Sequence, residues 1–317
     1  MSQPTFAALV FANKKKKTRR EQFLEEMEQV VPWATLLQVI RRHYPKAGNG
    51  RPPLGLEKML RIYFLQQWFN LSDPAMEDAL YDIESLRRFV GIELSQDEVP
   101  DETTILKFRH LLERHGLTKK LFAKVTAHLE DKKLLLRTGT IVDATIVNAP
   151  RSKKNEKKEL DPAMSSTRKG TDWFFGMKLH VGTDTKGLAH TAVVTTAKVH
   201  DSQLLEDLLH GQETVIYGDR AYINEELRRK YQADGVRWRM QLRAQRNAPL
   251  TERERRWNRC RSKVRARVEH IFQIIKQVWG HRKVRYRGLA KNEAHYFSLL
   301  ALANLYMVRK KLILKGA

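Results

Sequence analysis

Cysteine is nearly missing from this chain: one residue, Cys260, stands among 317. A single thiol builds neither an intrachain disulfide framework nor a thiolate zinc site, so the fold must rest on its apolar core, and a reducing setting is expected. Long apolar runs are missing as well. The longest, Phe297 to Val308, falls well short of the roughly 20 residues that cross a bilayer, and no basic-then-apolar leader stands at Met1 to Lys17. A soluble, cytoplasmic protein is expected. Acidic residues are the third shortage: 36 Asp and Glu face 59 Lys and Arg, a formal net charge of +23 with a pI near 10.1. That excess is out of proportion for an enzyme of small molecules and suits a polyanionic partner, of which nucleic acid is the commonest. An association with the nucleoid through DNA follows.

Against that basic background three acids stand in distinct local settings. Asp143 lies inside the β-branched run GTIVDATIV, Asp219 follows a shorter one in YGDRAY, and Glu269 sits on the helical pattern RARVEHIFQIIK. An ionised carboxylate in an apolar strand needs a partner or a cation. If the fold unites the three, they can bind two divalent cations. Phosphodiester chemistry needs one such ion to activate the attacking oxygen and one to stabilise the leaving oxygen, about 3.5 to 4 Å apart. Oxygen donors suit Mg2+ or Mn2+. With metals in place, no Ser/His/Asp or Cys/His nucleophile is required.

The third acid has informative neighbours. Arg265 precedes Glu269 by four residues, about 40° round a helix, and Lys276 follows it by seven, about 20° from the arginine. One face therefore carries Arg, Glu and Lys, beside an apolar stripe of Val268, Phe272, Ile275 and Trp279. An ordinary surface Arg/Glu pair is the competing reading. Asp219 could equally cap a turn beside Arg220. His200 and Asp201, in KVHDS, either cap the helix that follows or support a metal site. Trp173, Trp257 and Tyr222 read as core or surface aromatics before they read as base-stacking platforms.

The chain changes texture near residue 130. Lys14 to Arg20 reads as a basic arm, and helical spacing follows from Gln22 to Ile40, interrupted at Pro32. A turn at Gly48 to Pro53 leads to helical patterns at Leu56–Phe69, Pro74–Phe89 and Thr103–His115, compatible with a helix-turn-helix in which Lys107 and Arg109 are candidate DNA contacts. From Arg137 onward β-branched runs dominate: 140–147, 174–183, 189–196, 214–217 and 236–242. Helical patterns at 202–209 and 225–234 separate the last three, and a helix over 264–279 follows. This is the order of a ribonuclease-H-like α/β fold, a mixed sheet with flanking helices, here preceded by an all-α region. The expected segments are 1–50 as arm and first helix, 51–130 as a helical DNA-binding domain, and 131–317 as the catalytic domain. The Lys-rich loop from Arg151 to Gly170, beside Asp143, is a candidate clamp over a DNA strand.

In their order, GTIVDATIVNAPRS, FGMKLHVGTD, VVTTAKVHDS, YGDRAY and RARVEHIFQIIK resemble the catalytic core of DDE transposases of the insertion-sequence-five family. Tyr44 to Asp82 and Val99 to Glu113 resemble the helical domain that precedes that core. The resemblance implies that Asp143, Asp219 and Glu269 are the catalytic, metal-holding triad, with two Mg2+ or Mn2+ ions per site. It further implies that Arg265 and Lys276 contact phosphates of the transposon end. The family's signature tyrosine three residues before the arginine is replaced by Ser262. The expected activity is recognition of inverted-repeat ends and cleavage and strand transfer on double-stranded DNA, by a homodimer or larger synaptic assembly. A nuclease without strand transfer and a catalytically silent DNA-binding repressor are the rival readings.

Overall fold

The computed structural model describes residues 14–48, 52–151, 159–244 and 248–316. Thr18 opens the first helix, α1 (Arg19–Val30), through a capping box with Glu21. Lys14 and Lys17 pair with Glu21 and Glu25, so the described part of the expected basic arm is tied to this helix. Pro32 separates α1 from α2 (Trp33–Arg41). The turn expected at 48–53 lies partly outside the described residues. Beyond it run α3 (Leu56–Phe69) and α4 (Asp73–Asp82), the latter capped by Ser72 with Pro74 in its first turn.

The helix expected over 74–89 is two helices. Ile83 is extended between α4 and α5 (Glu84–Val90), and the guanidinium of Arg87 takes the carbonyls of Leu80 and Tyr81 that α4 leaves unpaired there. Asp101 caps α6 (Glu102–Arg114). After Gly116 comes α7 (Leu117–Asp131), whose buried Leu117, Leu121, Val125 and Leu129 recur at helical spacing.

Among the described residues, the second half forms a six-stranded mixed sheet. Strand β1 (Gly139–Asn148) pairs antiparallel with β3 (Asp172–Asp184), and β3 pairs antiparallel with β4 (Ala189–Thr196). The other edge of β1 runs parallel to β5 (Val215–Gly218), which is followed by α8 (Glu225–Ala233) and the parallel strand β6 (Arg237–Met240). Three antiparallel strands followed by parallel strands with a helical crossover give the ribonuclease-H-like order. Part of the Lys-rich loop is itself a strand, β2 (Ser165–Lys169), a hairpin partner of β3. Residues 152–158 of that loop lie outside the described residues. The helix expected over 202–209 is two 3-10 turns, Asp201–Leu204 and Glu206–Leu208.

The long helix expected over 264–279 is also divided. Helix α9 (Glu252–Arg265) ends before α10 (Val268–Gln273), and a π-turn over Ile274–Val278 completes the run. The division falls where the β3–β4 turn meets the helix. Gly187, at φ +90°, lies so close that a Cβ there would stand 2.4 Å from the carbonyl oxygen of Arg267. The guanidinium of Arg267 reaches back to Thr185 O at 2.6 Å.

The C-terminal helix, α11 (Leu289–Leu314), crosses from the sheet to the N-terminal helices, against α7, α1 and β4. One apolar core therefore runs from α1–α7 through α11 onto one face of the sheet. A smaller cluster of Val142, Leu205, Leu208, Ile216, Tyr222 and Met240 fills the opposite face. Among the described residues no helix is long and apolar enough to cross a membrane.

Candidate active site

Alternation along β1 decides where Asp143 points. Val142 joins the smaller cluster, so its neighbour Asp143 faces the other side of the sheet, opposite Val181 on β3, where α9 and α10 lie. The carboxylate is only 16% exposed there. Its Oδ1 accepts from the Ala144 N–H at 2.9 Å, and its Oδ2 from Nη1 of Arg265 at 2.8 Å. Burial nevertheless dominates, holding the Asp143 carboxyl up at about 6; Arg265 and the Ala144 N–H lower it, while Asp219 and Glu269 raise it.

Arg265 ties the first acid to the third. Its Nη2 approaches Oε1 of Glu269 at 3.5 Å, and Glu269 itself is 59% exposed. The break after Arg265 leaves this i,i+4 pair intact. Asp219 arrives from the neighbouring strand. Val142 pairs with Gly218 in the parallel β1–β5 ladder, so Asp143 and Asp219 are the next residues on adjacent strands, which lie about 4.8 Å apart. Gly218 permits the approach, since a Cβ would stand 2.6 Å from Sδ of Met240 and 2.9 Å from Val142. The Asp219 carboxylate caps the 3-10 turn Arg220–Tyr222 by accepting from the Arg220 N–H.

The donor set is carboxylate oxygen throughout, which suits a hard divalent cation. Asp143 is also incompletely compensated by its arginine. Among the described residues, however, no three Asp, Glu, His or Cys side chains stand close enough to share one ion. Arg265 supplies the positive charge between the first and third acids.

The other expected residues divide. Lys276, in the π-turn, is turned onto β1, where Nζ donates to Thr145 Oγ1 and to Ile146 O, each at 2.6 Å. Burial lowers its ammonium to about 8, with Lys169 adding to the effect. His200 is the cap of the Asp201–Leu204 turn, its Nδ1 accepting from the Ser202 N–H at 3.3 Å. Asp201 is paired with Lys178 at 2.9 Å. Lys107 is exposed on α6. Arg109 is a correction: it is buried at 6% exposure, pairs with Asp73 and Glu113 at 2.9 and 3.1 Å, and stacks over Tyr286. Its charge is consumed inside the protein, so it cannot meet DNA.

Two features went unread in the sequence. Helix α9 buries no residue and carries Arg253, Arg255, Arg256, Arg259 and Arg261 around Trp257. Trp257 is 42% exposed, with the guanidinium groups of Arg253 and Arg261 over its ring. Spacing could have found this, because the segment has no apolar stripe. A cleft lined by Asp219, Arg243, Asn258 and Ser262 joins this helix to the second acid. A larger hollow among the N-terminal helices, lined by Glu21, Glu25, Glu28 and Glu57 together with Lys58, Arg61 and Arg88, contains none of the three acids.

The family model of the transposase DDE domain matches residues 135–305, over half of the chain and all three acids. This chain belongs to the DDE transposases. A second model, the transposase domain DUF772, matches residues 12–111, the helical region. Among solved structures, the crystal structure of the Mos1 strand transfer complex matches over 100% of this chain and 98% of that chain, at 14% identity and a TM-score of 0.27. The transposase thus acts in DNA transposition, through the divalent-metal-dependent DNA cleavage and strand transfer of its family.

Proposed function

We propose that the chain is the transposase of an insertion sequence of the insertion-sequence-five type, with Asp143, Asp219 and Glu269 as its catalytic acids. The observation that carries this reading is the convergence on Arg265. One guanidinium joins a mostly shielded strand carboxylate to a helix carboxylate, while the adjacent parallel strand delivers Asp219 next to Asp143. An unrelated surface ion pair has no reason to reach a carboxylate inside the sheet.

Asp143, Asp219 and Glu269 would hold two Mg2+ or Mn2+ ions, whose chemistry is activation of the attacking oxygen and stabilisation of the leaving one. Asp143 fixes the position of the site because its strand is rigid on both edges. Glu269, in the exposed first turn of α10, completes it on the solvent side. Arg265, paired with Asp143 and Glu269 in the metal-free chain, would be free to bind a phosphate of the transposon end when cations compensate Asp143. Lys276 holds the strand end beside Asp143 and presents a second positive charge to the same backbone. The helical region recognises the inverted-repeat ends, with Lys107 on its exposed surface. Helix α9 lines the approach for the DNA backbone, and the paired ends are held by a homodimer or larger assembly on the nucleoid.

The test is cleavage and strand transfer in vitro on a supercoiled plasmid carrying the element's own ends, with Mg2+ or Mn2+, comparing the natural chain with Glu269→Gln. Joined products from the natural chain and none from the variant support the reading. Cleavage without joining would favour a nuclease, and end binding without either reaction a repressor.

A further inference from the structure

Beneath the strand that carries Asp143 lies a polar group the chemistry above does not use. Tyr222 is 1% exposed, its ring sits in the small cluster with Val142 and Met240, and its hydroxyl has no hydrogen-bond partner. A buried hydroxyl left unpaired costs free energy, so a group so placed calls for a partner. Burial pushes the phenol well above its ordinary range, and the charges of Asp201, Asp143 and Asp219 add to the effect.

Asp201 is held for that role. Its Oδ1 accepts from Lys178 Nζ at 2.9 Å, and Lys178 also donates to Val199 O at 2.8 Å. Lys178 and His180 lie opposite Ile146 and Ala144, on the face of the sheet turned away from Asp143. His180 is fully buried, binds Thr195 Oγ1 at 2.9 Å through Nε2, and leaves Nδ1 unpartnered 3.8 Å from Asp201. The Asp201–Leu204 turn lies directly against the Arg220–Tyr222 turn that Asp219 caps.

We propose that Tyr222 and Asp201 are positioning residues for Asp219. In the cation-loaded site the Tyr222 hydroxyl would donate to the Asp201 carboxylate, and that bond, anchored through Lys178 to β3, would hold the Asp219–Tyr222 turn where Asp219 and Asp143 can share a cation. That bond is absent from this structure, in which the hydroxyl has no partner. The inference rests on the assignment of Asp143 and Asp219 as metal-holding acids.

The experiment uses the full-length chain, with Mn2+ alone as probe, bound Mn2+ measured by electron paramagnetic resonance, and thermal unfolding recorded without metal. Tyr222→Phe keeps the ring and removes only the hydroxyl. It should leave the unfolding temperature unchanged or raised, weaken Mn2+ binding about tenfold or more, and raise the half-saturating Mn2+ for cleavage while maximal cleavage recovers. Asp201→Asn should act in the same direction, and the double variant should be no weaker than the worse single one. Tyr222→Phe with natural Mn2+ affinity would overturn the proposal, as would a loss of stability alone. If Tyr222→Phe does not fold, natural Mn2+ affinity in Asp201→Asn overturns it instead. Asp219→Asn separates the two readings: if it binds Mn2+ and cleaves as the natural chain does, the site assignment fails and this inference with it. If Asp219→Asn is impaired while Tyr222→Phe is not, only the positioning role fails.

Discussion

Arg265 donates to Asp143 at 2.8 Å across 122 residues of sequence, and the same guanidinium touches Glu269 on the next helix. The pair is mostly shielded, with the arginine side chain 22% and the aspartate 16% exposed. Removing the arginine leaves a shielded carboxylate without its main counter-charge. Arg265→Ala should therefore destabilise the metal-free protein by about 2 kcal/mol at neutral pH. Added Mn2+ should recover part of that loss, because cation and guanidinium serve the same charge. Chemical denaturation with and without Mn2+ checks both statements; an Mn2+ effect no larger than in the natural chain would count against the exchange.

Asp143 carries a pH signature whose sign is set by its burial. Its folded pKa, about 6, lies above the ordinary carboxylate value, so folding favours the protonated form. The associated stability is fully present below about pH 4 and is lost as pH rises through about 6, amounting to roughly 2 to 3 kcal/mol by neutrality. Asp143→Asn should flatten this window, make the metal-free protein more stable at pH 7 to 8, and abolish cleavage. Denaturant melts from pH 4 to 8 measure the first two; a variant less stable than the natural chain throughout would refute the argument.

How much of this was legible beforehand depends on where each interaction gets its partner. Asp143 showed itself because an acid inside GTIVDATIV violates the period and polarity of its own segment, a local conflict visible without a fold. The strand order followed for the same reason, since β-branched runs and turn residues are local. What escaped was set by distant neighbours. The break between α9 and α10 is imposed by Gly187, some eighty residues upstream in the chain. Arg109 looked like a DNA contact until Asp73 and Tyr286, from two other segments, enclosed it. Tyr222 looked like one more aromatic, because an unpaired hydroxyl is defined only by what surrounds it. The strand β2 was hidden in a polar loop whose Ser165 to Lys169 gain order only by pairing with β3.

Gly187 controls the junction that orients Glu269. An alanine there would hold a strained left-handed backbone and drive Cβ toward Arg267 O, at 2.4 Å before relaxation. Gly187→Ala should cost about 1 to 3 kcal/mol of stability and shift the start of α10. Cleavage should fall by a larger factor than end binding, since only the third acid moves. Paired binding and cleavage assays decide it; equal losses in both would point to general unfolding instead.

Lys276 gives a second, opposite pH signature. Burial beside β1 holds its ammonium at about 8, below the ordinary lysine value, so its charge fades as pH rises through that point while the folded state gains stability from about 8 toward 10. If Lys276 meets a phosphate, end affinity should fall between pH 7 and 9 in the natural chain, and Lys276→Arg should show a weaker decline. Lys276→Gln should remove about one unit from the slope of log affinity against log salt, with little change in unfolding temperature because the amide can still donate to Thr145 or Ile146. Filter binding over a salt series at pH 7 and 9 measures these effects together. An unchanged salt slope in Lys276→Gln would confine the lysine to bracing β1.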